Sequence, residues 1–194
     1  MSTTSVKAWM EKSVIFLNGK ITSATAMLIE NAIEKISSSG KEPLFFIINC
    51  EDGGDFYAVL KIKSLLENYK GEVTTVIFGM AFSGGFLLSQ IGSKRFATEK
   101  SRLRFHQATF TFAKDLVLNA QALQEFAHRL IRIDGIQLEI LAARARPVKA
   151  VFELFEKEAT INAQEAQKVG LLDGIIKEPV DVEELISFLN TDAK

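Results

Sequence analysis

The stretch Val73-Thr-Thr-Val-Ile-Phe-Gly-Met-Ala-Phe-Ser83-Gly-Gly-Phe-Leu-Leu-Ser-Gln-Ile-Gly-Ser93 carries no charged residue and changes character at its middle. Its first half is β-branched and aromatic, the composition of a strand buried on both faces. Beyond Gly79 small residues take over, and Phe86, Leu87 and Leu88 then suit a buried helix. A membrane span would need about 20 consecutive apolar residues, and four glycines, Thr74, Thr75, Ser83, Ser89 and Gln90 argue against one. The stretch therefore reads as the strand-to-helix step of an α/β fold, with Ser83 at the junction. In a first helical turn the backbone N–H groups lack intrahelical partners. Together with the positive helix end they can stabilise an oxyanion formed beside the hydroxyl. A serine that merely caps its helix occupies the same position, and this segment alone does not separate the two readings.

Composition bounds the rest. At 194 residues, 47% hydrophobic and 24% charged, the chain can build one sizeable core. A net charge of −1 points neither to nucleic acid nor to an anionic membrane surface. The lone Cys50 excludes an internal disulfide and fits a reducing compartment. Met1 to Lys12 is polar and offers no apolar run for a signal peptide, so the expected location is cytoplasmic. Two histidines and one cysteine are too few for an ordinary zinc site, and no cofactor is expected. Fifteen phenylalanines against two tyrosines and one tryptophan imply heavy apolar burial, in the core or between subunits.

No linker or low-complexity tract divides the chain, which reads as one domain over residues 1–194. Working outward from Ser83, Leu44 to Ile48 is a buried strand, ended by a turn at Asp52-Gly53-Gly54, with a helix from about Asp55 to Tyr69 after it. Val14 to Leu17 is a short apolar run, and Ser23 to Ser38 carries Ala24, Leu28, Ala32, Ile33 and Ile36 on one helical stripe. Short strands are expected at Arg95 to Ala97 and at Arg102 to His106. A long helix covers about 116–143, and another starts at Pro147. Asn162 caps a short helix from Ala163 to Val169, stopped by Gly170; a strand at Asp173 to Ile176 and a helix at Val180 to Leu189 close the chain. Alternation of this kind gives an α/β layer fold, from which the long helix projects with an apolar face in need of a partner.

Three loci could form one site. Ser83, His106 and the Gly53-Gly54 turn all follow predicted strands, and parallel α/β sheets gather functional groups at the carboxyl ends of strands. Acyl transfer needs such a set: a nucleophile, a base within reach and oxyanion donors. Taken singly, His106 is a structural strand-end histidine and Gly53-Gly54 a tight turn. Pattern alone does not bring them into one pocket.

The segments Val14-Ile-Phe-Leu-Asn-Gly-Lys-Ile21, Gly79-Met-Ala-Phe-Ser83-Gly-Gly-Phe-Leu-Leu88, Ser101-Arg-Leu-Arg-Phe-His106-Gln107 and Asn162-Ala-Gln-Glu-Ala166 with Val169-Gly-Leu-Leu-Asp173 occur in this order. In order and spacing they resemble the Clp protease proteolytic subunit, a serine peptidase family whose rings enclose a degradation chamber. The resemblance implies a crotonase-like fold of repeated ββα units with a projecting handle helix. It also implies a serine endopeptidase acting on unfolded proteins or short peptides. Ser83 would be the nucleophile, His106 the general base, and the N–H groups of Gly54 and Gly84 the oxyanion hole. Glu158 stands where the family has its acidic residue, one methylene shorter there. His128, within the long helix, is read as a surface or interface residue.

The sequence also departs from the family. Its Ser-Pro-Gly-Gly turn is replaced by Cys50-Glu51-Asp52-Gly53-Gly54, and Gln107 to Ala113 lacks the glycines of the substrate-pairing strand. The segment before Val14 is short for the axial loop that meets an unfoldase, which argues against an ATP-driven partner. The long helix corresponds to the handle where rings meet, and its Leu116, Leu118, Leu123, Phe126, Leu130 and Ile133 exceed what one domain face uses. The resemblance thus implies self-association into rings, heptameric or stacked. Two other functions remain open on the sequence: a non-catalytic Clp-like ring subunit, and a crotonase-like acyl-CoA enzyme in which Gly84-Gly85 hold a thioester oxyanion.

Overall fold

The charge-free stretch forms the middle of a sheet and the short helix after it. In the computed structural model, which describes residues 4–40, 43–112, 115 and 117–191, β4 (Val73–Phe82) lies parallel to β3 (Leu44–Cys50). Beyond β3 come β2 (Val14–Asn18) and an antiparallel edge strand, β1 (Ser5–Trp9). On its other side β4 divides. Residues 74–77 pair in parallel with β5 (Lys94–Thr98), whereas residues 80–82 pair with β6 (Arg102–Arg104). The β5 branch continues to β8 (Gly174–Ile176), and the β6 branch to an antiparallel β7 (Thr160–Asn162).

Gly79 is the pivot of that division. Its φ is +101°, and a Cβ there would meet Asn49 Oδ1 at 2.7 Å. The same oxygen accepts the Met80 N–H at 3.0 Å, while the β3–β4 register shifts between Ile48 and Cys50. Such an irregularity bends a strand and re-aims the residues beyond it. The second half of β4 therefore changes its neighbour from β5 to β6, carrying Ser83 with it.

Helices α1 (Ser23–Ser38), α2 (Phe56–Glu67) and α3 (Gly84–Ser89) cover one face, burying Ile29, Ile36, Phe46, Ile62 and Phe86 in the larger core. The other face is closed by α7 (Val182–Thr191), whose Leu185, Ile186 and Leu189 meet Val14, Phe45, Ile47 and Val76. Full burial of each such side chain contributes about 1.5–3 kcal/mol. Having both faces covered explains why β3 and β4 read as continuous apolar runs. Along the chain between α3 and α7 come α4 (Ala120–Ala142), α5 (Val148–Glu156) and α6 (Ala163–Lys168).

The architecture is the mixed α/β one expected, with differences at element ends that have local causes. β1 is absent from the sequence reading, because Ser-Val-Lys-Ala-Trp shows only weak alternation. The strand before His106 stops at Arg104. α4 begins at Ala120 because the Asn119 side chain accepts the Ala122 N–H at 2.9 Å. Leu118 thus precedes the helix, while Ala113, Leu116 and the first three residues lie outside the described set. Within the 23 residues of α4 only Gln137 and Leu141 are buried, both near its C-terminal end. At 1.5 Å per residue the helix is about 35 Å long, and it carries an exposed Leu123 and Ile131 outward. No helix among the described residues is long and apolar enough to cross a membrane.

Candidate active site

Ser83 follows β4 directly and stands at the N-cap position of α3, yet its side chain makes no capping hydrogen bond. Its backbone has φ +53° and ψ −121°, a conformation costing a non-glycine residue about 1–3 kcal/mol. The surroundings over-determine it. The Ser83 N–H donates to the Arg104 carbonyl at 2.7 Å, and its own carbonyl accepts from Phe86 and Leu87 N–H at 3.0 and 3.1 Å. Gly53, at φ +62°, packs so closely that a Cβ on it would sit 2.5 Å from Ser83 Cβ. Strain without a cap leaves the hydroxyl free for something other than ending a helix.

Gly54 is held by a parallel bridge to Ile21, in which Ile21 N–H donates to Gly53 O at 2.7 Å and Asp55 N–H to Ile21 O at 3.0 Å. Parallel pairing uses the groups flanking Gly54 and turns its own N–H to the opposite edge. Gly84, the first residue of α3, supplies an N–H of the kind that a helix start leaves without an intrahelical acceptor. Ser83, Gly84, Gly54 and His106 line a single cleft of about 690 Å³, with Lys20, Asp52, Asp55 and Gln137 also on its walls.

His106 is aimed into this cleft by its neighbour. Phe105 is buried and its ring lies 5.3 Å from that of Phe86 and 5.7 Å from that of Phe155. His106, the next residue, lines the cleft. His106 Nδ1 lies 2.7 Å from the Gln107 carbonyl oxygen. A carbonyl only accepts, so Nδ1 is the donor in this contact, and in the neutral ring the lone pair then sits on Nε2, the tautomer a general base needs. The strand that holds Ser83 by its N–H ends two residues before this imidazole, which keeps the two loci in register.

Beyond the imidazole the Ala108 N–H donates to Asp134 Oδ1 of α4 at 2.7 Å, and Gln137 Nε2 donates to the same oxygen at 3.1 Å. Burial pushes the Asp134 carboxyl above the ordinary carboxylate range, with the Ala108 N–H, the charge of His106 and Gln137 pulling the other way. Nothing in local spacing singles out Asp134, a carboxylate on a charged helix far along the chain. Gln107 and Ala108 act through their backbone, which side-chain patterns do not reveal.

Glu158 is placed elsewhere. Its carboxylate lies 3.6 Å from Arg104 Nη2, exposed on both sides of the pair. No hydrogen bond joins it to His106 among the described residues, and it does not line the cleft. Cys50 lies beneath the site, where a Cβ on Gly85 would come within 2.6 Å of its own. Burial, reinforced by Asp52, pushes its thiol up to about 11, which leaves it an unreactive core residue. His128 is exposed on α4 and borders a separate groove with Phe56, Tyr57 and Arg132. Among the described residues no group of three or more His, Cys, Asp or Glu side chains is placed to hold a metal ion.

Comparison with known proteins gives a consistent picture. The family described as Clp protease matches residues 1–179. The ATP-dependent Clp protease proteolytic subunit of Carsonella ruddii (strain PV) is 27% identical over 172 residues, covering 86% of this chain and 85% of that protein. Proteolytic subunit 1 of Chlamydia caviae is 28% identical over 173 residues, with 84% and 85% covered. The chloroplastic proteolytic subunit 6 of Arabidopsis thaliana is 28% identical over 167 residues, covering 84% of this chain and 60% of that one.

Proposed function

The chain belongs to the Clp protease family, and on that footing we propose that it is a serine endopeptidase using Ser83 and His106 in the 690 Å³ cleft. The observation that carries the reading is Ser83 itself: a strained, uncapped serine lining the same cleft as an imidazole whose Nδ1 is held by the Gln107 carbonyl. In the first step Ser83 Oγ attacks the scissile carbonyl carbon while its proton passes to His106 Nε2. The carbonyl oxygen becomes an oxyanion against the N–H groups of Gly54 and Gly84, each such donor contributing about 3 kcal/mol in the transition state. His106 then returns its proton to the departing amine as the C–N bond breaks. Water, deprotonated by the same imidazole, releases the acyl group. Unfolded chains and short peptides are the proposed substrates.

Self-association into rings goes with this reading. The exposed Leu123 and Ile131 on a helix that buries almost nothing of its own support α4 as the element through which copies meet.

A second reading has one observation in its favour. The pairing of Glu158 with Arg104 leaves the expected acid away from the imidazole, as a non-catalytic ring subunit would tolerate. A fluorophosphonate probe separates the two. Labelling of the purified protein that disappears in Ser83→Ala supports the peptidase. An assembled protein that takes no label overturns it in favour of the non-catalytic subunit, and protection of Ser83 by acyl-CoA would point to acyl-CoA chemistry instead.

A further inference from the structure

Two hydrogen bonds near the cleft share one peptide group. His106 Nδ1 bonds to the Gln107 carbonyl at 2.7 Å, and the N–H of that same peptide unit, Ala108, donates to Asp134 Oδ1 at 2.7 Å. A peptide unit is planar, and in its trans form the C=O and N–H point in opposite directions. An imidazole on one end and a carboxylate on the other are thereby set in line through a rigid, polarisable bridge. We propose that Asp134 is the positioning carboxylate of this site and acts on His106 through the Gln107–Ala108 peptide, in place of the direct contact expected of Glu158.

The chemistry follows from the series. A carboxylate accepting from the amide N–H makes a charge-assisted bond and increases the electron density on the amide oxygen. Hydrogen bonds in such a chain strengthen one another. The Gln107 carbonyl then holds the Nδ1–H more firmly, keeps the ring in the base-competent tautomer and stabilises the imidazolium that forms as Ser83 loses its proton. Gln137, buried and bonded to the same Asp134 oxygen, fixes the carboxylate's own rotamer. The remaining charged groups near the imidazole are engaged or distant in role. Asp55 Oδ1 caps α2 through the Ala58 N–H, Arg104 pairs with Glu158, and Lys20 and Asp52 stand on the cleft wall.

This inference rests on the peptidase reading, and two measurements keep their failures apart. The first is the rate of fluorophosphonate labelling. Asp134→Asn keeps a neutral acceptor for the Ala108 N–H and is expected to slow labelling about 10-fold, since a charge-assisted bond is roughly twice as strong as a neutral one. Asp134→Ala frees the peptide and should slow it on the order of 100-fold, the usual cost of a misplaced catalytic group. A positioning role predicts that peptide turnover loses kcat with little change in KM. Labelling by both variants at the parent rate would overturn the proposal, as would a larger loss in Glu158→Gln than in Asp134→Ala. The second measurement needs no activity. With ¹⁵N-labelled histidine, and His128→Gln to assign the two rings, the ring nitrogens report which one carries the proton. The Nδ1–H form should dominate in the parent and give way to a mixture in Asp134→Ala. An unchanged tautomer in that variant would sink the proposal even if the parent protein never takes the label.

Discussion

Ser83 and Glu158 both have a positive φ, +53° and +47°, on residues that are not glycine, and the two positions mean different things. Glu158 follows the last turn of α5. Its N–H donates to Phe155 O and the Ala159 N–H to Leu154 O, both at 3.2 Å, the paired bonds of a Schellman helix stop. The left-handed residue there ends a helix, and its side chain lies in solvent beside Arg104. Ser83 ends nothing with its side chain. Its strain is enforced by Gly53, by the Arg104 carbonyl and by the first turn of α3, and its hydroxyl faces a cleft. A positive φ is therefore informative only together with what holds it and where the side chain points.

The strongest way to break that contrast is to loosen the enforcement. Gly53→Ala places a methyl 2.5 Å from Ser83 Cβ in a backbone state that itself costs a side chain about 1–2 kcal/mol. Ser83 has to move, and a nucleophile displaced by about 1 Å loses on the order of 100-fold in rate. Labelling should fall by at least that factor while far-ultraviolet circular dichroism stays native. Normal labelling would mean that the close approach of Gly53 is not what sets Ser83.

A second pair of positions sharpens the comparison for ion pairs. Arg104–Glu158 is exposed and loose, whereas Arg95 is 6% exposed and gives Asp173 three hydrogen bonds, from its backbone N–H at 2.8 Å, Nε at 3.0 Å and Nη2 at 2.6 Å. Asp173→Asn leaves a buried guanidinium short of its counter-charge and should cost about 2–4 kcal/mol. That is somewhat below the range for a fully buried pair, because the Asp173 carboxylate keeps contact with water. Glu158→Gly, by contrast, relieves a left-handed glutamate and should stabilise the fold by up to about 1 kcal/mol in chemical denaturation. Its labelling should stay within twofold of the parent. A tenfold loss there would return this carboxylate to the imidazole.

How much of this is legible in the sequence follows the same division. The buried strands β3 and β4, the α3 start after Ser83 and the Gly53-Gly54 turn are local patterns, written in β-branched runs and glycines. So is the Asn162 cap of α6, whose side chain accepts the Glu165 N–H at 2.9 Å. Placing Ser83 and His106 on one cleft needs the parting of β4 at Gly79, which no periodicity encodes; resemblance to a family supplies it. Glu158 is singled out by its order along the chain. Order does not say that α5 ends there in a helix stop with the side chain turned to Arg104. Asp134 is invisible for a further reason. It reaches His106 through a main-chain peptide, and the residues that form the link, Gln107 and Ala108, carry no chemistry in their side chains that would mark them.

The smallest expected effect is in stability against pH, and it has opposite signs at the two aspartates. Burial raises the Asp134 carboxyl above its unfolded value, so the folded chain binds that proton more readily than the unfolded one. Its contribution is fully present below the unfolded pKa, and is lost as pH rises through the raised folded value. For Asp173 burial pushes upward too, but the hydrogen bonds and charge of Arg95, with Arg144 adding to them, hold it below the usual range. Its contribution is present at neutral pH and fades as pH falls through the lowered value. Thermal denaturation of Asp134→Asn and Asp173→Asn at pH 4 and pH 7, at one protein concentration, reads both. Relative to the parent, Asp134→Asn should gain in Tm on going from acid to neutral, and the deficit of Asp173→Asn should widen. A Tm for Asp134→Asn that instead drops at neutral pH would show the ionised carboxylate to be a stabilising group. With no loss of Tm at neutral pH, slower labelling in this variant is a loss of chemistry and not of fold.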